Sequence, residues 1–218
     1  MDGKYGFETF CAKIFRKLAH RPIVFIGHSL GGLVVKEAIA KARDSSGGES
    51  NNIYRSTYGL VFLGVPNLGL RHEQLLTVVD GQPNEGLIRD LITDKDSEPS
   101  AYLRELTDKF VKASIEQKAE FEIVSYYETQ ESATIEIKDG APTRNGPSTM
   151  MVTKVSAERV GHRVRDDKHI PLATDHRGLV RFEQRPDEKY LSVMDKIHDL
   201  VEEAPRVVQG RFRNFEGL

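Results

Sequence analysis

The sequence lacks the features that would indicate a membrane span, a disulfide-bonded fold or a nucleic-acid surface. Its 218 residues contain no apolar run of about 18 or more, so we expect no transmembrane helix. A single cysteine, Cys11, excludes an intramolecular disulfide. The formal net charge is −2 and no basic stripe is evident, which argues against nucleic acid as a partner.

The composition is typical of one globular domain. Hydrophobic residues make up 39% and charged residues 29% of the chain, whose length suffices for a sizeable core. We therefore expect a single domain over residues 1–218. The N-terminus leads into a charged amphipathic segment and not into an apolar signal region, so the default expectation for localisation is the cytoplasm. Cys11 lies among apolar residues of a predicted helix, and we expect it to be buried and not nucleophilic.

Apolar periodicity predicts alternating helices and strands. Helices are predicted over 7–18, 33–42, 72–79, 85–92, 101–117 and 187–201, and strands over 22–26, 58–63 and 121–127, with a weaker strand over 150–155. Polar or glycine-rich loops are predicted over 44–52, 131–148 and 168–177. Unbroken apolar strands are typical of a parallel sheet that is covered on both faces. The expected fold class is α/β, with a mostly parallel sheet flanked by helices.

The most specific motif is Gly27-His28-Ser29-Leu30-Gly31-Gly32, which lies between the first predicted strand and the following helix. A strand, a Gly-x-Ser-x-Gly turn and a helix form a nucleophile elbow, in which the serine is strained and exposed. We expect Ser29 to be a nucleophile and the N–H of Leu30 to donate to an oxyanion. Gly27 and Gly31 are expected to be required because a Cβ there would collide with the neighbouring strand or helix.

Three histidines after Ser29 are candidates for the base that activates a serine hydroxyl. In hydrolases with this elbow, the acid and then the histidine follow the serine along the chain. His176 lies in a short loop ahead of the terminal helix and is the preferred candidate, with His169 and His162 as alternatives. His28 precedes the serine, and we expect its side chain to point away from the nucleophile.

Glu128 is the preferred acid because it directly follows a predicted strand. Carboxylates at the C-terminal ends of strands open into the crevice where active sites form in open α/β sheets. The adjacent Asp175 and His176 side chains are expected to diverge too much to pair. The alternatives are Glu131, Asp139, Asp166 and Asp167. No ligand spacing indicates a metal site, and the chemistry needs no organic cofactor.

Four segments resemble one family of α/β-hydrolases. Residues 26–36 are similar to the elbow of the serine esterase and lipase-like group, which includes serine-active-site-containing proteins and GPI inositol-deacylases. Residues 62–69, 125–129 and 175–182 also resemble family segments. The resemblance implies an α/β-hydrolase fold, a serine esterase activity and a fungal type of protein in which nucleotide-binding, ankyrin or tetratricopeptide modules follow. Asn67 replaces the family's usual histidine, and we expect this change to affect pocket shape more than chemistry.

The front of the domain is shorter than the family fold requires. About twenty residues precede the first predicted strand, so we expect the early strands and the loop with the second oxyanion donor to be missing. The strand over 23–26 would then be an unpaired apolar edge. We therefore expect an N-terminally truncated domain, or one whose sheet is completed by a partner chain or an upstream segment.

Two functions are compatible with these features. The first is a serine hydrolase that cleaves carboxylic esters of acyl lipids or similar apolar substrates through an acyl-enzyme. The second is a catalytically weak or inactive hydrolase fold that acts as a binding or assembly module of a larger protein. Association with mitochondrial or ER membranes is implied by the family resemblance alone. Residues 67–92 are expected to form either an apolar cap or ordinary helix packing, through Leu68, Leu70, Leu75, Leu76 and Leu87.

Overall fold

The computed structural model describes residues 21–45, 49–71, 76, 79–83, 85–93, 98–115, 121–161, 166–182 and 187–216. The predicted helix over 7–18, Cys11 and His162 lie outside the described residues, as does most of the predicted helix over 72–79. The strands are β1 (Ile23–His28), β2 (Thr57–Leu63), β3 (Glu122–Glu128), β4 (Ser132–Ala133), β5 (Glu136–Lys138), β6 (Ala141–Thr143), β7 (Ser148–Thr149) and β8 (His169–Leu172). The helices are α1 (Leu30–Asp44), α2 (Glu49–Ser56), α3 (Glu85–Leu91), α4 (Ala101–Ile115), α5 (Lys154–Glu158) and α6 (Glu188–Glu216), with 3₁₀ turns over Asp166–Lys168 and Gly178–Val180.

Four of the strands form one sheet in the order β1–β2–β3–β8. Strand β1 pairs with β2, β2 with β3, and β3 with β8, and every pairing is parallel. Helices connect the strands, as parallel crossovers require. The predicted fold class is confirmed: a mostly parallel sheet flanked by helices, consistent with an α/β-hydrolase-like fold.

Strand β2 is the centre of the core because both of its faces are covered. All of its residues, from Thr57 to Leu63, are buried. Leu60 and Phe62 pack on one side with residues of α1, α2 and α4. Val61 and Leu63 pack on the other side with residues of α6. A strand buried on both faces is an unbroken apolar run, which is why its sequence predicts it clearly.

Strand β1 is an outer strand of the described sheet. Ile26 in β1 is 54% exposed, and Val34 on the adjoining helix α1 is 59% exposed. One side of an outer strand carries backbone N–H and C=O groups that no described strand pairs. The apolar edge predicted over 23–26 is therefore a feature of the described part of the chain.

Two predictions for the second half of the chain are wrong. Residues 150–155 are not a strand but a turn that leads into α5, where the Thr153 side chain accepts a hydrogen bond from the Ser156 N–H at 3.2 Å. The fourth strand of the sheet is β8, which lies within the predicted loop over 168–177. This strand is short and contains Pro171, and proline is compatible with a strand mainly at the edge of a sheet.

Two helix boundaries and one additional helix also differ from the prediction. Helix α1 begins at Leu30 and not at residue 33, and α2 occupies part of the predicted loop over 44–52. Helix α6 continues to Glu216 through Pro205, although proline usually kinks or ends a helix. Ala204 and Val208 pack on the sheet on either side of Pro205, so burial favours the longer helix. None of the described helices combines the length and apolar character needed to cross a membrane.

The segment over 131–148 is a surface excursion, as predicted. Strands β5 and β6 form a hairpin, and all three residues of β5 are exposed. Its turn contains Asp139 and Gly140, which both have positive φ (54° and 76°), as a tight hairpin turn requires.

Two glycines, Gly27 and Gly32, allow the elbow to pack closely. The sequence predicts Gly27 but predicts Gly31 in place of Gly32. A Cβ on Gly27 would lie 2.7 Å from the Gly32 Cα, so Gly27 is required as predicted. A Cβ on Gly32 would lie 2.1 Å from Val65 Cγ2, whereas a Cβ on Gly31 has no described atom within 4 Å. The predicted steric requirement at Gly31 is therefore wrong, and Gly32 has that role.

Replacement of Gly32 by alanine is expected to lower the free energy of unfolding by about 1–3 kcal/mol, because Val65 must move to admit the methyl group. The matched control is Gly31→Ala in the same helical turn. It should leave stability unchanged or raise it by up to ~1 kcal/mol, since alanine favours helix over glycine. Urea unfolding followed by circular dichroism measures both variants. Equal destabilisation by the two substitutions would contradict this account of the packing.

Candidate active site

Ser29 is held in a strained backbone conformation between β1 and α1. It is the N-cap of α1, with φ 52° and ψ −132°. Such a conformation costs a non-glycine residue on the order of 1–3 kcal/mol and persists where the surroundings fix it. Here the Ser29 N–H donates to the Leu63 carbonyl at 3.0 Å, and the Ser29 carbonyl accepts from the Gly32 N–H at 3.0 Å. Ser29 therefore has the sharp strand-to-helix turn expected of a nucleophile elbow.

His176 lies against Ser29. Its Nε2 is 3.0 Å from the Ser29 Oγ, and the side chain is largely buried. Its Nδ1 is 3.1 Å from Glu128 Oε2. Because a carboxylate only accepts hydrogen bonds, Nδ1 carries the proton and donates to Glu128. In the neutral ring Nε2 then accepts from the Ser29 hydroxyl.

Glu128 is a buried carboxylate with two donors. It is 1% exposed and is the last residue of β3. Oε1 accepts from the backbone N–H of Val152 at 2.7 Å, while Oε2 accepts from His176. A buried charge needs such partners, because without them its desolvation is costly. The contribution of Val152 could not be predicted from the sequence, since residues 150–155 were expected to be a strand.

The three side chains meet because they follow the carboxyl ends of parallel strands. Ser29 follows β1, Glu128 ends β3, and His176 lies four residues after the last residue of β8. In a parallel sheet these ends lie at one edge, where open α/β sheets bind their ligands. The structure therefore brings together the three residues that the sequence selected.

The alternative acids and bases do not join this cluster within the described part of the chain. Glu131 and Asp139 are exposed on the surface excursion. His169 is the first residue of β8 and pairs with Ser125, so it lies at the N-terminal end of that strand and away from its carboxyl end. Asp167 lies in the 3₁₀ turn before β8. His162 and the side chain of Asp166 lie outside the described residues, and Asp175 instead accepts from the Gly178 N–H at 2.7 Å.

Leu30, the predicted oxyanion donor, is the first residue of α1. The first N–H groups of a helix have no acceptor within that helix, and they carry partial positive charge. The Leu30 N–H thus has no acceptor within α1 and lies next to Ser29 along the chain.

The predicted orientation of His28 is wrong. Its ring does not point away from Ser29 but lies against the His176 ring, with ring centroids 4.9 Å apart and the ring planes tilted by 35°. Its Nε2 is 3.0 Å from the backbone oxygen of His176. Burial lowers the pKa of His28, although its hydrogen bond to His176 acts in the opposite direction.

Asn67 lies in a buried polar network, and its expected effect on pocket shape stays a prediction. Asn67 is 2% exposed, and its Oδ1 accepts from Nζ of Lys36, which is itself fully buried on α1. Its amide nitrogen donates to the carbonyls of Ser156 (2.9 Å) and Ala157 (3.2 Å) in α5. Lys36 also donates to the Val160 carbonyl at 3.0 Å. The network therefore ties the helix after the nucleophile to the helix after Val152.

The described part of the predicted cap segment mixes buried and exposed leucines. Leu70 is buried with Tyr127, Val152 and Ala157, and Leu30 packs against this cluster. Leu87 is 55% exposed. Leu75 lies outside the described residues. Among the described residues, no group of three or more His, Cys, Asp or Glu side chains is arranged to hold a metal ion.

Comparisons with known proteins agree with a serine esterase type of site. A family model described as "Putative serine esterase (DUF676)" matches residues 8–83, which include Ser29 but end before Glu128 and His176. Protein SERAC1 of Bos taurus is 31% identical over 109 residues, which are 50% of this chain and 15% of that protein. Protein SERAC1 of Danio rerio is 24% identical over 193 residues, which are 86% of this chain and 26% of that protein.

The chain thus spans about a quarter or less of the length of these curated relatives. No solved structure matches it significantly. Together, the family model and the relatives support a serine esterase or lipase-like family for this chain. The fungal type and the N-terminal truncation stay predictions.

The stability of the protein is expected to depend on the protonation of Lys36. Burial lowers its pKa from 10.5 to about 7. Between these values the unfolded chain binds a proton at this residue that the folded chain does not. Stability therefore rises with pH across this range and is lowest below about pH 7, where the buried ammonium is charged.

Substitution Lys36→Met removes this dependence. Relative to the variant, the wild type should gain up to ~1.4 kcal/mol of unfolding free energy per pH unit between about pH 7 and pH 10. Urea unfolding at several pH values measures the slopes, and a constant offset from the lost hydrogen bonds does not affect them. The control is Lys41→Met, since the Lys41 side chain on the same helix is 74% exposed. Parallel slopes for wild type and Lys36→Met would show that Lys36 does not titrate in this range.

Proposed function

We propose that this chain is a serine hydrolase that cleaves carboxylic esters, with Ser29 as nucleophile, His176 as general base and Glu128 as the orienting acid. The observation that carries the proposal is the hydrogen-bond path from the Ser29 Oγ through His176 to Glu128, with contacts of 3.0 and 3.1 Å. Nucleophile, base and acid are each within hydrogen-bond reach of the next, as the triad chemistry requires. The match to a serine esterase family around Ser29 supports the same reaction class.

The reaction has two halves. The Ser29 Oγ attacks the ester carbonyl carbon while its proton passes to Nε2 of His176. Collapse of the tetrahedral intermediate breaks the bond to the alcohol oxygen, which takes that proton from His176. Water then attacks the acyl-enzyme with His176 again as base, and releases the carboxylic acid and free Ser29. Glu128 keeps the proton on Nδ1 and stabilises the imidazolium that forms in each half.

The Leu30 N–H is the proposed donor to the oxyanion. It follows the nucleophile directly and begins α1, so its N–H and the helix dipole both favour negative charge near Ser29. Loss of one donor in such a site typically costs on the order of 10²–10³ in turnover.

Esters with an apolar acyl group are the proposed substrates. Leu30 adjoins the nucleophile and packs on the buried cluster that contains Leu70, Tyr127 and Val152. Apolar side chains beside a nucleophile favour burial of an acyl chain over a polar group. Acyl lipids belong to this class. The reaction needs no metal or organic cofactor.

A binding or assembly module is the alternative function. The exposed apolar side chains on the outer strand β1 and on α1 favour it, since such an edge pairs readily with another segment. A module of this kind has no need for an aligned serine, histidine and glutamate. Reactivity of Ser29 therefore separates the two functions.

The purified chain is expected to react covalently with a fluorophosphonate probe at Ser29. Ser29→Ala should abolish labelling, because a histidine ring nitrogen lies 3.0 Å from the Ser29 hydroxyl and could activate it as a nucleophile. The matched control is Ser45→Ala, which alters the residue at the opposite end of α1 and should label as the wild type does. In-gel fluorescence after a fixed labelling time provides the measurement. A folded wild-type chain that stays unlabelled would favour the binding module.

Substitution Glu128→Gln is expected to reduce kcat for an apolar ester such as p-nitrophenyl butyrate by about 10²–10⁴-fold. The glutamine is close in shape but offers no carboxylate to hold the proton on Nδ1 of His176. The control, Glu131→Gln, changes an exposed glutamate three residues away and should retain full activity. Stopped or continuous release of p-nitrophenol measures both. Greater loss with Glu131→Gln would reassign the acid.

A further inference from the structure

His28 is bonded to the residue that acts as base in the proposed reaction. Its Nε2 lies 3.0 Å from the backbone oxygen of His176, and the two rings are tilted by 35° with centroids 4.9 Å apart. A carbonyl oxygen only accepts, so Nε2 of His28 carries a proton and donates it. This nitrogen of His28 is therefore not available to accept the Ser29 proton.

His176 is held at four atoms, and two of its partners are consecutive residues. Its N–H donates to the Ser132 Oγ at 3.3 Å, and its Nδ1–H donates to Glu128. Its carbonyl accepts from His28, and its Nε2 accepts from Ser29. The dipeptide His28–Ser29 therefore contacts both the backbone and the ring of one residue. This fixes the approach of the ring to the nucleophile.

The topology explains why such an anchor is needed. Strands β1 and β8 are the two outer strands of the described sheet, separated by β2 and β3. With strands about 4.8 Å apart, the loop after β8 must reach roughly 14 Å across the sheet to meet Ser29. Its backbone bonds are local or run to residues that follow β3: the Thr174 N–H donates to the Leu172 carbonyl at 2.8 Å, and the Thr174 carbonyl accepts from the Gln130 N–H at 3.1 Å. The bond from His28 adds a contact at the far side of the sheet, next to Ser29.

We propose that His28 is a positioning residue for the base: its Nε2–H anchors the His176 backbone to the elbow and keeps the His176 ring within hydrogen-bond distance of the Ser29 Oγ. The role rests on the proposed function of this site, but the anchor itself is a structural contact that is measured separately. A misplacement of about 1 Å at a reacting group can cost on the order of 10² in rate.

A neutral His28 suits this role. Burial lowers its pKa, and the neighbouring His176 lowers it further, while its hydrogen bond and the Glu128 carboxylate act in the opposite direction. A charged ring 4.9 Å from His176 would oppose the imidazolium that the base becomes during the reaction. The neutral ring supplies the N–H without that repulsion.

Two variants of His28 separate the hydrogen bond from the bulk of the ring. His28→Gln retains an N–H donor near the position of Nε2, and His28→Met has similar volume without a donor. We expect His28→Met to lower kcat for p-nitrophenyl butyrate, and the rate of fluorophosphonate labelling, by about 10–100-fold with KM unchanged within about 2-fold. His28→Gln should remain within about 5-fold of wild type. The control is His198→Met on α6, since His198 is 70% exposed.

Rescue by glutamine is the decisive comparison in these assays. Wild-type rates in His28→Met, or equal losses in both variants, would overturn the proposal, because a role of ring volume alone predicts no rescue. Urea unfolding of each variant verifies that the comparison is made on folded protein.

Hydrogen exchange tests the anchor without requiring catalysis. In His28→Met the amides of Thr174, His176 and Gly178 should exchange at least about 5-fold faster than in wild type, and in His28→Gln at the wild-type rate. Unchanged exchange in His28→Met would overturn the anchor whatever the activity. A wild type that neither hydrolyses esters nor labels, but shows the exchange effect, would overturn the proposed function and retain the anchor.

Discussion

The hydrogen bond between the buried Glu128 carboxylate and His176 is the contact on which the arrangement of this site depends. A carboxylate at the end of a buried strand has little access to water, so its charge is tolerated only where donors surround it. Here the donors are the Val152 N–H and the His176 Nδ1–H, which come from separate loops. The hydrogen bonds to this one buried carboxylate therefore hold two irregular loops, those of Val152 and His176, at the carboxyl edge of the sheet.

The strained backbone of Ser29, after the outer strand β1, is the second feature on which the site depends. The conformation persists because the Ser29 N–H bonds to the end of β2 while α1 begins immediately after it. Gly32 permits this approach, since no side chain separates α1 from Val65. The parallel pairing of β1 and β2 thus helps to fix the backbone of Ser29, and the loop that carries His176 crosses the sheet to meet it.

Those parts of the structure that depend on local pattern could be predicted from the sequence. The apolar strands follow from periodicity, and the elbow follows from its motif between a strand and a helix. The selection of Ser29, Glu128 and His176 rests on the chain order of hydrolases that share this elbow. The parts that could not be predicted depend on long-range contacts. The direction of the His28 side chain depends on its contact with His176, which lies almost 150 residues later in the chain. The segment of β8 is a strand because it pairs with β3. Likewise, the choice between Gly31 and Gly32 depends on Val65, which the sequence pattern does not locate.

The hydrogen-bond partners of Asn67 give a physical reason for asparagine at a position where the similar family usually has histidine. An asparagine amide has two donor protons and an acceptor, whereas a neutral histidine has one donor and one acceptor. Asn67 uses its nitrogen for the carbonyls of Ser156 and Ala157 and its oxygen for Lys36. It therefore satisfies a buried amine and the backbone of α5 together, and α5 follows the turn whose Val152 N–H holds Glu128. Asparagine at this position thus makes contacts with Lys36 and α5 that a single imidazole could make only in part.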